Sequence, residues 1–129
     1  MEHLEHLNEM WETLHRILKD NGVLIVAVPN PESYDARKYK EWWAAYDVPR
    51  HLWHFSPSVM QRFGEKHGFV LEKEHPMPFD AFYVSMLTEK YKSNELSFVK
   101  GLWTGTLAWF SALGNKERSS SLIYVFRKK

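Results

Sequence analysis

Leu18-Lys19-Asp20-Asn21-Gly22-Val23-Leu24-Ile25-Val26-Ala27-Val28-Pro29-Asn30 joins the end of a helix to a strand. Upstream, Leu4, Leu7, Trp11, Leu14, Ile17 and Leu18 recur at three- and four-residue spacing among charged residues, which predicts an amphipathic helix ending near Asp20. Asn21-Gly22 supplies residues tolerant of positive φ at that stop. Val23 to Val28 is apolar without alternation, the pattern of a strand covered on both faces, and Pro29-Asn30-Pro31 ends it. A helix feeding such a strand implies an α/β sheet.

Downstream, residues 32–55 are aromatic and polar without steady periodicity, read as a long loop with one short helix around Lys38 to Ala44. Ser56-Pro57 opens a helix, with Val59, Met60 and Phe63 expected inward and Gly68 as its stop. Phe69 to Glu74 alternates as a half-buried strand does. Asp80 can cap a run through Phe82, Tyr83, Met86, Leu87 and Tyr91; Ser93-Asn94 reads as a joint, and Leu96 to Leu113 as a further helix. Leu122 to Phe126 is the last strand. The whole is expected to form one domain over residues 1–129, with 80–114 as a helical insertion or cap.

Composition narrows the functional classes. A formal charge of +1 gives no basic field for nucleic acid, and the absence of cysteine removes thiolate nucleophiles, thiolate metal sites and disulfides. Met1-Glu2 leads straight into a charged segment rather than a secretory signal, so the expected location is cytoplasmic. The uncharged run Gly101 to Leu113 is shorter than the roughly 20 residues a spanning helix needs. Its large apolar side chains suit a cap or buried helix, with an interfacial membrane contact as the lesser alternative.

Three elements in this order carry a resemblance. Leu4-Glu5-His6-Leu7 is similar to a "LEHL" element, Leu18 to Gly22 to an "LKPGG" turn with Asp20-Asn21 where Pro-Gly is usual, and Pro29-Asn30 to a "PN" strand end. Together they resemble the late half of class I S-adenosylmethionine-dependent methyltransferases. Val48-Pro49-Arg50-His51-Leu52-Trp53-His54-Phe55-Ser56-Pro57, Gly68-Phe69-Val70 and Met77-Pro78-Phe79-Asp80 resemble a bacterial subgroup of unassigned members, with a looser likeness to ubiquinone-pathway O-methyltransferases. The likeness runs from Leu4 to about Tyr91.

The resemblance implies an α/β fold: the C-terminal part of a Rossmann-like sheet, strands five to seven with the last antiparallel, and flanking helices. It implies S-adenosylmethionine as cofactor and a small-molecule methyl acceptor. The six glycines include no pair separated by one residue, so the glycine-rich cofactor loop is absent from this chain. A partial, truncated domain, inactive alone, is therefore expected. The strand read as the fifth would keep an unpaired edge, which favours a homodimer.

By the same resemblance, Glu5 and His6 lie close to cofactor and substrate, with Glu5 as the candidate cofactor contact, and Arg50, His51 and His54 lie on the loop over the acceptor pocket, with His6 and His54 as candidate bases and Arg50 and His51 as candidate substrate contacts; Asn30 at the strand end and Trp53 in the aromatic cluster are further candidate substrate contacts. Each has a plainer alternative: Glu5 as a helix-start carboxylate, Asn30 as a turn residue, and Arg50, His51 and His54 as structural ties within an aromatic loop. His3/His6 and His51/His54 have a three-residue spacing but no evident third ligand, so no metal site is expected.

Overall fold

The computed structural model describes residues 1–92 and 95–129; the joint read at Ser93-Asn94 lies outside the described residues. Helix α1 spans Leu7–Ile17 and strand β1 spans Val23–Pro29. Helix α2, Tyr34–Tyr39, is followed by 3-10 turns at Lys40–Trp42 and Ala44–Tyr46. Helix α3 (Pro57–Lys66) and strand β2 (Phe69–Pro76) come next, then α4 (Asp80–Tyr91), α5 (Ser97–Gly114), a 3-10 turn at Lys116–Arg118, and β3 (Ser121–Lys128).

The sheet has the order β1-β3-β2, with β3 antiparallel to both neighbours, as expected for the last strand. Val26 stands opposite Tyr124 and Leu71 opposite Phe126, with a register irregularity between Leu71 and Lys73. One face buries Val26, Val28, Phe69, Leu122, Tyr124 and Phe126 against Trp11 of α1 and Met60 of α3. Trp11 meets Phe63, Phe69 and Phe126 edge to face at centroid distances of 5.4, 5.5 and 5.5 Å, a geometry that aligns ring edges with π faces.

A second core lies beyond the sheet. Ala36, Tyr39, Trp43, Ala44, Ala45 and Val84 gather α2, the Ala44–Tyr46 turn and α4. Helices α4 and α5 approach closely because α5 turns Gly101, Thr104, Gly105 and Ala108 inward. A Cβ on Gly101 would lie 2.5 Å from the Met86 Cα, and one on Gly105 2.8 Å from the Phe82 Cα.

Several sequence expectations are corrected here. β1 is not covered on both faces: Val23, Ile25 and Ala27 are exposed, Ile25 by 65%, because among the described residues the face opposite α1 carries no helix at this strand. α1 stops at Ile17, and the turn follows with Asn21 at φ 59°. The short helix of the aromatic loop lies at Tyr34–Tyr39, where Ser33 Oγ accepts from the Ala36 N–H and caps it. Val59 faces solvent while Met60 is buried. The large side chains of α5 point outward, Phe98 at 66% and Trp103 at 64% exposure, since the α4 interface admits only small residues. Among the described residues, no helix is long and apolar enough to cross a membrane.

Candidate functional site

The segment before α1 and the loop 47–55 hold each other through backbone-directed bonds. The Leu52 and Trp53 N–H groups donate to the Glu2 carbonyl at 2.8 and 3.3 Å, and Trp53 Nε1 donates to the Leu4 carbonyl at 2.7 Å. Sequence spacing gives no hint of these ties, since the partners lie nearly fifty residues apart.

This junction brings four predicted site residues together. Glu5, His6, Trp53 and His54 line an open hollow of about 420 Å³ floored by Leu7, Phe55 and Phe63. His6 is exposed, with Nδ1 3.7 Å from Glu9 Oε1. His54 Nε2 donates to the Tyr46 carbonyl at 3.0 Å and its ring packs edge-on to Tyr46 at 5.1 Å. A carbonyl only accepts, so Nδ1 of His54 carries the lone pair.

Arg50 and His51 line a smaller hollow of about 210 Å³ with Pro29, Asp47, Asp80 and Tyr83. Arg50 Nε and Nη2 reach Asp47 Oδ1 at 3.1 and 2.6 Å. His51 Nδ1 donates to the Ala45 carbonyl at 2.9 Å. The sequence signalled Asp80 and Tyr83 only as helix residues; their approach to Arg50 follows from the packing of α4 on the Ala44–Tyr46 turn.

Asn30 joins neither hollow. It is fully buried, its Nδ2 donating to the Glu117 and Ser119 carbonyls at 2.6 and 3.1 Å and its Oδ1 accepting from the Glu32 N–H at 3.0 Å. The carboxamide therefore fastens the carboxyl end of β1 to the segment before β3 and offers no face to a ligand. Asp35, also missed, is fully buried nearby and accepts from Trp43 Nε1 at 2.8 Å and from the Ser120 hydroxyl. Burial pushes its carboxyl above the ordinary value, against the hydrogen bonds from Ser120 and Trp43.

Beside Arg50, Glu2 packs against His51. Burial opposes ionisation of its carboxyl, but backbone hydrogen bonding, the N-terminal ammonium and His51 outweigh that and hold it below the usual carboxylate range. The donor set for an adenosyl cofactor is incomplete: among the described residues, each glycine that meets another part of the chain serves a packing contact or a turn, Gly64 against Phe126 and Gly68 at φ +81° for example, and none forms a nucleoside-sized cradle after a strand. The chain's residues do not fit S-adenosylmethionine by themselves.

A family model described as a methyltransferase domain matches residues 1–74. No curated protein sequence matches. Two solved structures share the fold. One is mycolic acid cyclopropane synthase CmaA1, complexed with SAH and CTAB, at TM-score 0.51 and 11% identity, covering 98% of this chain and 52% of that one. The other is a candidate sarcosine dimethylglycine methyltransferase from Galdieria sulphuraria, at TM-score 0.53 and 14% identity, covering 98% of this chain and 49% of that one. The chain thus spans about half the length of these structures. With more than half of its residues matched by the family model and a sheet whose last strand runs antiparallel between the other two, the chain belongs to the methyltransferase-domain family.

Proposed function

We propose that this chain is the acceptor-side half of an S-adenosylmethionine-dependent methyltransferase acting on a small molecule in the cytoplasm. The observation that carries the reading is the hollow shared by Glu5, His6, Trp53 and His54 where α1 meets the loop 47–55. Methyl transfer is an in-line displacement in which a protein mainly aligns donor and acceptor, and here the aromatic wall of Trp53 would orient an acceptor. His54 holds a free Nδ1 lone pair through its Nε2 bond and can take the acceptor's proton, with His6 across the hollow as the second candidate base. Arg50 and His51 extend the acceptor surface, Glu5 faces the side from which the cofactor would approach, and Asn30 acts by fixing the end of β1.

The donor-holding half is not supplied by these residues, so the isolated chain is expected to turn nothing over. Calorimetric titration with S-adenosylmethionine and S-adenosylhomocysteine, with and without a glycine-rich partner half, tests this. In an enzyme carrying both halves, His6→Ala or His54→Ala should lower kcat about 10²-fold. Turnover by the pure chain, or full activity in both variants, would overturn the reading. A second reading, a binding or dimerisation module derived from a methyltransferase, is favoured by one feature: among the described residues β1 has a free edge, and its face is apolar and exposed at Val23 and Ile25.

A further inference from the structure

Glu2, His3 and His51 converge in a way that the sheet does not require and that an acceptor contact at His51 does not explain. Glu2 Oε1 lies 3.7 Å from His51 Nε2 and 3.8 Å from His3 Nε2, and the three donor atoms all fall within 4.8 Å of one another. These separations are too long for hydrogen bonds. The outer nitrogens fix the tautomers: His3 Nδ1 bonds the Arg50 carbonyl at 3.0 Å and His51 Nδ1 the Ala45 carbonyl at 2.9 Å. A carbonyl can only accept, so each Nδ1 carries a hydrogen and, in the neutral ring, each Nε2 presents a lone pair. With both rings neutral, two lone pairs and a carboxylate oxygen face one another. Glu2 Oε2 is taken by the Met1 ammonium at 3.1 Å, so Oε1 is the oxygen turned toward the two rings, and a cation held by all three donors stabilises that arrangement.

We propose that Glu2, His3 and His51 bind a divalent metal ion of the zinc class. Tetrahedral zinc with bonds of roughly 2.0–2.1 Å separates its donors by about 3.4 Å, so two of the three edges here are within about 0.4 Å of the bound spacing. The Nδ1–H bonds to main-chain carbonyls are the outer contacts that orient metal-ligating histidines. Asp47 Oδ2, 3.8 Å from His51 Nε2, stands beside the site as a further oxygen donor, its other oxygen held by Arg50. Two imidazoles and a carboxylate select zinc, cobalt or iron over magnesium or calcium, which take oxygen alone. The side chains of His51 and Glu2 are only 11% and 15% exposed, whereas His3 at 57% leaves an entry path. The site shares His51 with the proposed acceptor surface, but it is tested by metal binding and not by turnover.

The test uses the full chain, stripped with a chelator and titrated with Zn²⁺ by calorimetry and with Co²⁺ by visible absorption at about pH 7.5, where imidazole is neutral. One ion per chain is expected, with a cobalt spectrum of low coordination number. His3→Ala, His51→Ala and Glu2→Gln should each weaken binding at least about tenfold. His75→Ala, on the exposed face of β2, should leave it unchanged. His3 is mostly exposed, so its variant keeps the fold by circular dichroism and carries the test if His51→Ala does not. Absence of saturable binding, or binding unchanged in His3→Ala, would overturn the proposal.

Discussion

Asp35 and Tyr39 show how two polar groups are accommodated beside the aromatic cluster of the second core. Asp35 holds the Trp43 indole and the Ser120 hydroxyl, linking α2, the aromatic loop and the lead into β3. Asp35→Ala would leave both donors buried and unpaired, and we expect a loss of about 3 kcal/mol in urea denaturation. Tyr39 has its phenol pushed up to about 12, chiefly by burial. Its unfolded value is about 10, so the folded state favours the neutral phenol. The stability this contributes is fully present below pH 10 and drains away as pH rises from about 10 toward 12. A melting-temperature series across that window should fall more steeply for the natural chain than for Tyr39→Phe. Neither residue was legible as a tie in the sequence, because the partners of Asp35 depend on where Ser120 lies, eighty-five positions away.

At the scale of elements, Gly101 sets the distance between α4 and α5. Alanine is the better helix former by about 1 kcal/mol, so Gly101→Ala would stabilise an isolated helix. Here the added Cβ meets the Met86 backbone at 2.5 Å, which cannot rotate away, and the helices must separate. Overpacking of this kind costs about 1–3 kcal/mol, so the expected outcome is net destabilisation in thermal unfolding. Trp103→Ser on the outer face should change stability by no more than about 0.5 kcal/mol. The contrast shows what periodicity could and could not reveal. The existence and type of α1, β1, α3, β2, α5 and β3 were legible because their apolar patterns and stop signals are local. Which face of α5 is buried was not: the rule that large apolar residues point inward fails where glycine lets two backbones approach. The same limit applies to β1, where an uninterrupted apolar run implied two covered faces and the structure covers one. That Glu5 and His6 lie beside Trp53 and His54 was not legible, because it depends on bonds between residues nearly fifty positions apart, and neither was the approach of His3 to His51, because spacing suggested His3 with His6 and His51 with His54.

For the molecule as a whole, β1 is the consequential boundary. It lies at the edge of the sheet, with one side hydrogen-bonded to β3 and, among the described residues, no strand on the other. Its outer face exposes Val23, Ile25 and Ala27, an apolar row beside a row of free backbone groups. Protected edges carry charge, proline or a bulge, and in β1 only Pro29 at the far end meets that description. The edge is therefore open to a strand from a partner half or, in the isolated chain, from a second copy. We expect the isolated chain to associate in a concentration-dependent manner at tens of micromolar in sedimentation velocity. Ile25→Lys places a charge on the exposed face without touching the core packed by Val26 and Val28, so it should shift the chain toward monomer while leaving the melting temperature of dilute samples nearly unchanged. A natural chain that stays monomeric across that range would mean that the edge is shielded by its own twist and neighbouring loops, and the dimerisation module would lose its support. An Ile25→Lys variant that associates as strongly as the natural chain would instead move the contact to the outer face of α5, where Phe98 and Trp103 offer the other large apolar surface.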